Sequence, residues 1–194
     1  MPLTDDCLSP YDNITARMLW GRMPIERATA LTYYHPGSYS SLLMYKLKYG
    51  NEPDIGVWFG EYMANSLMPY GVFDGIDMVI PLPIHKRRER ERGYNQSQEI
   101  ARGIGDISSI KVQNNIVERS RYTVSQTKLT HTDRTKNVKG AFTLLRPDAI
   151  RGKHVLLVDD IITTGATIAA CANELAKAED VKISIMTVGR THYI

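Results

Sequence analysis

Apolar and polar positions along the chain follow two periods, and the changes between them mark its elements. Ala28-Thr-Ala-Leu-Thr-Tyr-Tyr34 is rich in β-forming residues and predicts a strand. Pro36-Gly37 turns the chain. From Tyr39 to Tyr49, apolar residues such as Leu42, Leu43 and Leu47 fall near helical spacing, with Gly50 as C-cap. Residues 53–68 predict another helix, and Gly71 and Gly75 mark the loop after it. Asp77-Met-Val-Ile-Pro81 reads as a short buried strand, followed by a loop over 82–94 and a helix near 95–103. Short strands are expected at 116–118 and 141–145. His154–Val158 reads as the central strand, a helix follows to about Ala178, and 181–188 closes the series. Strands alternating with helices predict an α/β fold, with a mostly parallel, twisted sheet flanked by helices. Prolines at 2, 10 and 24 make residues 1–24 an N-terminal arm. Residues 25–194 form the single domain, with 25–75 as a hood and 76–194 as the ligand-binding core.

The densest chemistry lies where the central strand ends. Val155-Leu-Leu-Val-Asp-Asp-Ile-Ile-Thr-Thr-Gly-Ala-Thr167 runs from apolar residues through two adjacent carboxylates into a small, hydroxyl-rich loop that opens a helix. In open α/β sheets, ligands bind at the carboxyl ends of strands. The loop Thr163-Thr164-Gly165-Ala166-Thr167 is small enough for its backbone to approach a phosphate, with N–H groups and the helix dipole facing the anion. Threonine hydroxyls can donate further hydrogen bonds. Asp159 and Asp160 would repel a phosphate and suit hydroxyl donors or a metal ion instead. A phosphate on one side and a diol on the other describe a ribose 5-phosphate. Simple helix capping needs one such side chain, not two carboxylates and three threonines. No Gly-Lys-Ser/Thr closes the loop, so it is not a Walker A motif.

Composition sets limits on this reading. The 194 residues are 43% hydrophobic and 23% charged, ordinary for one globular core, and a net charge of +3 does not announce a nucleic-acid binder. Cys7 and Cys171 are far apart and form neither a metal-ligand spacing nor a disulfide framework. Cys171 is expected to be a small buried hydrophobe. With no membrane-length apolar run and no signal profile, a soluble cytoplasmic protein is expected.

Asp159-Asp160-Ile-Ile-Thr-Thr-Gly-Ala-Thr167 closely resembles the motif with which type I phosphoribosyltransferases bind phosphoribosyl pyrophosphate (PRPP). Pro81 through Ser97, and Thr123 through Phe142, resemble the corresponding segments of ComF-like competence proteins. The likeness spans about Trp20 to Val188. It implies the type I phosphoribosyltransferase fold. It also implies that Asp159 and Asp160 hold the ribose 2- and 3-hydroxyls while residues 163–167 wrap the 5-phosphate. Many ComF-like proteins carry an N-terminal zinc ribbon with paired cysteines. Cys7 alone cannot build a four-ligand site, so zinc is not expected from these residues.

Two basic segments fit this scheme. Lys86–Arg92 holds five basic and two acidic residues and leaves the sheet at the phosphate-binding edge. In the family, a loop there contacts the pyrophosphate. The candidates are Leu82 and Pro83 through their backbone, and Arg88, Arg92 and Asn95 through side chains. His85 is expected to be a surface residue. Arg119–Lys139 carries six Lys or Arg and one Asp without a clear period, and it resembles the family's catalytic lid. Its candidates are Arg119, Arg121, Gln126, Arg134 and Asn137.

The leading expectation is transfer of a 5-phosphoribosyl group with release of pyrophosphate. Mg²⁺ on the pyrophosphate would screen the leaving charge, touching Asp159 and Asp160 indirectly through PRPP or water. No general base stands out. The acceptor, a base or an amine, is not legible. Tyr33, Tyr34 and Tyr45 could stack on a base, although core packing is the expected use. The other expectations are a non-catalytic competence factor that grips single-stranded DNA, with Tyr94 and Tyr122 as the available stacking residues, and a PRPP-sensing regulator. A homodimer is compatible with each.

Overall fold

A computed structural model describes residues 3–121 and 140–191. In chain order the elements are α1 (Ile14–Arg17), β1 (Arg27–Tyr34), α2 (Tyr39–Tyr49), α3 (Asp54–Leu67), β2 (Met78–Pro81), α4 (Lys86–Arg92) and α5 (Gln96–Ser108). They continue with β3 (Val117–Arg119), β4 (Phe142–Leu144), β5 (His154–Ile162), α6 (Ala166–Leu175) and β6 (Lys182–Thr191).

Four strands form a parallel sheet in the order β1-β6-β5-β2. The register sets Met78 beside Val155 and Asp159 beside Thr187. All four strands therefore end at the same edge. β3 and β4 pair with each other, antiparallel, in a separate ribbon. Parallel sheets are covered on both faces, and their strands read as continuous apolar runs. The successive residues Val155, Leu156, Leu157 and Val158 show this. Val155 and Leu157 enter a core with Cys171, Ala172 and Leu175 of α6, whereas Leu156 and Val158 enter another with Phe59, Met63, Ile100 and Ile104. Cys171 is fully buried, as expected.

On the second face α3 and α5 pack backbone to backbone. A Cβ on Gly60 would overlap the carbonyl oxygen of Ile100, and one on Gly103 would overlap that of Val57. Only glycine permits so close an approach, which holds α5 directly against α3. The N-terminal residues hold only short helices and pack on β1. Thr4 N–H donates to Leu31 O at 2.9 Å. The carboxylate of Asp6 is buried, accepts from Ala30 N–H at 3.1 Å, and lies 3.6 Å from Arg190 Nε. Residues 25–75 share the sheet through β1 and the second core through α2 and α3.

Two expectations need correction. Residues 86–92, read as part of a loop, are helix α4. Lys, Arg and Glu are strong helix formers. Arg87 and Glu91 pair at 2.8 Å across one turn, and His85 Nδ1 accepts from Arg87 N–H at 3.1 Å as the N-cap. The central strand also continues past Val158 to Ile162, so both aspartates belong to β5 rather than to a turn after it.

Candidate functional site

At the end of β5 the two carboxylates stand side by side and are almost fully buried, with Asp159 8% and Asp160 4% exposed. Each is held by named partners. Asp159 Oδ1 accepts from Ser97 Oγ at 3.0 Å and from Asp160 N–H at 2.9 Å. Asp160 Oδ1 accepts from Ile161 N–H at 2.6 Å. Lys48, in the last turn of α2, places its ammonium 2.9 Å from Asp160 Oδ2.

The electrostatics follow from burial. Desolvation, reinforced by the neighbouring charge of Asp160, pushes the Asp159 carboxyl up to about 7. Burial works against the charged form of Lys48, but the carboxylates of Asp160 and then Asp159 outweigh it and hold the ammonium above its ordinary pKa. Arg119 is lowered, first by burial and then by the nearby charge of Arg88, while Asp159 opposes the shift. Arg88, expected at the diphosphate, and Arg119, expected in the lid, are thus within electrostatic reach of each other. The charge of Arg92 works against the Lys48 ammonium.

The loop after β5 is braced from behind. Gly165 adopts φ +72° and caps α6, and Thr164 Oγ1 accepts from Ala166 N–H at 3.3 Å. Arg22, from the N-terminal segment, donates to the carbonyl oxygen of Thr164, and its own carbonyl accepts from Asn173 Nδ2 at 2.8 Å. Residues 163–167 therefore stay compact at the start of α6, whose first N–H groups have no acceptor within the helix. A helix start of this kind attracts anions.

Several expected ligand contacts are redirected. Leu82 N–H donates to Val158 O at 2.8 Å, and its carbonyl accepts from Asn95 Nδ2 at 3.1 Å, so its backbone is committed to the fold. Pro83 carries no N–H and cannot donate to an anion through its backbone. Asn95 is buried and caps α5, its Oδ1 accepting from Ser97 N–H at 3.1 Å. Arg92 donates to Gln96 and lies over the Tyr49 ring at 5.8 Å. Arg121 is exposed, and Gln126, Arg134, Asn137 and Tyr122 lie outside the described residues. Tyr94, considered for stacking, buries its ring against the second core and donates to Leu47 O. Tyr34 packs on that core as expected, but Tyr45 is 62% exposed and lies beside Tyr49 at 5.0 Å between ring centroids. Among the described residues, no three His, Cys, Asp or Glu side chains gather in a metal-binding group. No helix among the described residues is long and apolar enough to cross a membrane.

Ser97 and Lys48 were not among the expected site residues, yet one signal marks both. Lys48 follows Met44 by four positions, and Ser97 precedes Ile100 and Ala101 by three and four. Each is a polar residue at the buried phase of its helix.

A parallel sheet ending in paired carboxylates, followed by a compact loop at a helix start, defines the class of an open α/β protein with its candidate site at the carboxyl ends of the strands. The family model described as the phosphoribosyl transferase domain matches residues 90–190, and the chain belongs to that family, with the type I phosphoribosyltransferase fold. Within it the chain sits with the ComF-like competence proteins. It is 27% identical to the DNA utilization protein YhgH of Escherichia coli O157:H7 over 97% of this chain and 86% of that one. It is 37% identical to competence protein F of Haemophilus influenzae over 52% of this chain and 43% of that one. Competence protein ComFC of Bacillus subtilis is 31% identical over 54% of this chain and 41% of its own length. A solved glutamine PRPP amidotransferase from B. subtilis, complexed with ADP and GMP, aligns at 19% identity with a TM-score of 0.47, covering 73% of this chain and 30% of that one. That likeness is too slight to bear on function.

Proposed function

We propose that the chain binds PRPP at the end of β5 and transfers its 5-phosphoribosyl group to an acceptor, releasing pyrophosphate. One observation carries the reading: two buried, adjacent carboxylates stand within a few residues of the Gly165-opened start of α6. The carboxylates accept hydrogen bonds from a ribose diol, and the loop at 163–167 surrounds the 5-phosphate. Arg119, within electrostatic reach of both Asp159 and Arg88, would face the diphosphate together with Arg88 and offset the charge that grows on it as the C1–O bond breaks. The same carboxylates favour the positive charge that develops on the ribose.

Magnesium fits as an ion carried by the ligand. Mg²⁺ prefers six oxygens and usually keeps waters and phosphate oxygens around it. Asp159 and Asp160 supply too few groups to cage it, so they would meet it through PRPP or water. When bound, it would screen the diphosphate charge. We further propose a cytoplasmic location, in line with two free cysteines too far apart in sequence to form a disulfide framework.

A second reading, without catalysis, is favoured by the names of the relatives, which include DNA utilization and competence proteins. In it, PRPP is a regulatory ligand and the basic face of α4 contacts single-stranded DNA. Pyrophosphate release separates the two. Incubated with Mg²⁺, PRPP and a panel of bases and amines, the protein should release pyrophosphate with at least one acceptor, and Asp160→Asn should not. Tight PRPP binding with no release across the panel would favour the regulatory reading.

A further inference from the structure

Lys48 stands apart from the motif by more than one hundred residues, yet it reaches into the site. It is held at the core-facing phase of α2 by the turn that buries Met44 and Leu47. Its ammonium lies 2.9 Å from Asp160 Oδ2, a buried oxygen. The other oxygen of that carboxylate is taken by Ile161 N–H at 2.6 Å. Both ends of the Asp160 carboxylate are thus fixed, one by backbone and one by Lys48, and the plane it offers to a ligand is set.

Charge gives Lys48 a second role. Two adjacent buried carboxylates facing a ligand rich in phosphate would repel it at short range, where low dielectric strengthens the effect. A cation on Asp160 offsets part of that repulsion without touching the phosphates.

We propose that Lys48 is a positioning residue for the ribose diol, acting through Asp160 by fixing its carboxylate and offsetting its charge. This rests on the PRPP reading above. Lys48 contacts neither sugar nor diphosphate and acts through Asp160, so its loss alters which sugar is preferred as well as how tightly the ligand binds. Arginine keeps the charge and can keep the ion pair, whereas methionine keeps the length and loses both.

The test titrates the intact protein with Mg²⁺ and PRPP, and separately with ribose 5-phosphate and 2-deoxyribose 5-phosphate. Lys48→Met should weaken PRPP binding by about tenfold, within the coupling expected for charged groups in contact. It should also shrink the preference for ribose 5-phosphate over its 2-deoxy analogue. Lys48→Arg should restore most of both. In an Asp160→Asn background, Lys48→Met should cost little further. Three results would overturn the proposal while leaving PRPP binding intact: unchanged affinity in Lys48→Met, an unchanged sugar preference, or a full additional loss in the Asp160→Asn background. The last would make Lys48 a direct anion ligand. A wild-type protein that binds none of the three probes would overturn the PRPP reading and this proposal with it.

Discussion

Along β5 and the loop that follows it, the residues expected to meet a ligand are held ready by the fold. In the segment after β2, several of their counterparts are used by the fold itself. Asp159 and Asp160 lie at the end of β5 with Ser97 and Lys48 supporting them, and residues 163–167 are braced by Arg22. After β2, the backbone of Leu82 is bonded to Val158 and Asn95, and Asn95 caps α5. Of the basic residues there, Arg88 acts electrostatically on Arg119 and Arg92 on Lys48. Side chains at a helix start are needed for capping, whatever else they do.

Gly165→Val should test the first region most severely. Gly165 holds φ +72°, and a Cβ there would lie 2.9 Å from Leu19 Cδ2. A β-branched residue in the left-handed region is strained by about 1–2 kcal/mol before any clash. Denaturant unfolding should show a loss of at least about 2 kcal/mol, and PRPP binding should fall more than tenfold, of the order seen when site geometry slips. A stable variant with full affinity would mean the loop shape is not what binds.

The next effect comes from pH. The folded-state pKa of Asp159 is raised from 3.8 to about 7, so between those values the native state holds a proton that the unfolded chain has lost. Its contribution to stability is present below about pH 4, declines as pH rises to about 7, and is level above that. Comparing wild type with Asp159→Asn by chemical denaturation at pH 5 and pH 8 isolates this contribution. The wild type should lose on the order of 1 kcal/mol or more relative to the variant between the two conditions. PRPP affinity should rise over the same window, because the ionised carboxylate is the better acceptor for hydroxyls. A parallel pH response in both proteins would remove Asp159 from this role.

Asn95→Ala sharpens the contrast from the other side. As a cap it should cost about 1 kcal/mol of stability, with PRPP affinity changed no more than a few-fold. A large loss of affinity at unchanged stability would return Asn95 to the ligand. Smallest of all is Arg87→Ala. Its ion pair with Glu91 is exposed, and such a pair contributes about 0.3–0.5 kcal/mol. Neither unfolding nor binding should register more than that.

Much of this architecture was legible in the chain. Strand and helix positions followed from period and turn residues. The candidate site over Asp159–Thr167 was read from carboxylates beside a small loop, and the structure sets these residues together at the end of β5 and the start of α6. The segment over 86–92 misled because charge runs look like loops, although Lys, Arg and Glu are good helix formers and Gly93 supplies a stop. Lys48 and Ser97 were missed because they lie far from the motif in sequence and are brought to it only by packing of α2 and α5. Their polar character at buried helical phase was the available sign. Leu82 shows the opposite failure: its place after β2 was right, but hydrogen bonding across the sheet, invisible in sequence, had already taken its backbone.

In the proposed function, the β5 carboxylates and the α6 loop bind the ribose phosphate of PRPP. Calorimetric titration with PRPP, with and without Mg²⁺, of the wild type and of Asp159→Asn/Asp160→Asn addresses it most directly. Mg²⁺-dependent binding to the wild type is expected, lost in the double variant while its fold remains intact by circular dichroism. Equal binding by both proteins, or binding by neither, would contradict it.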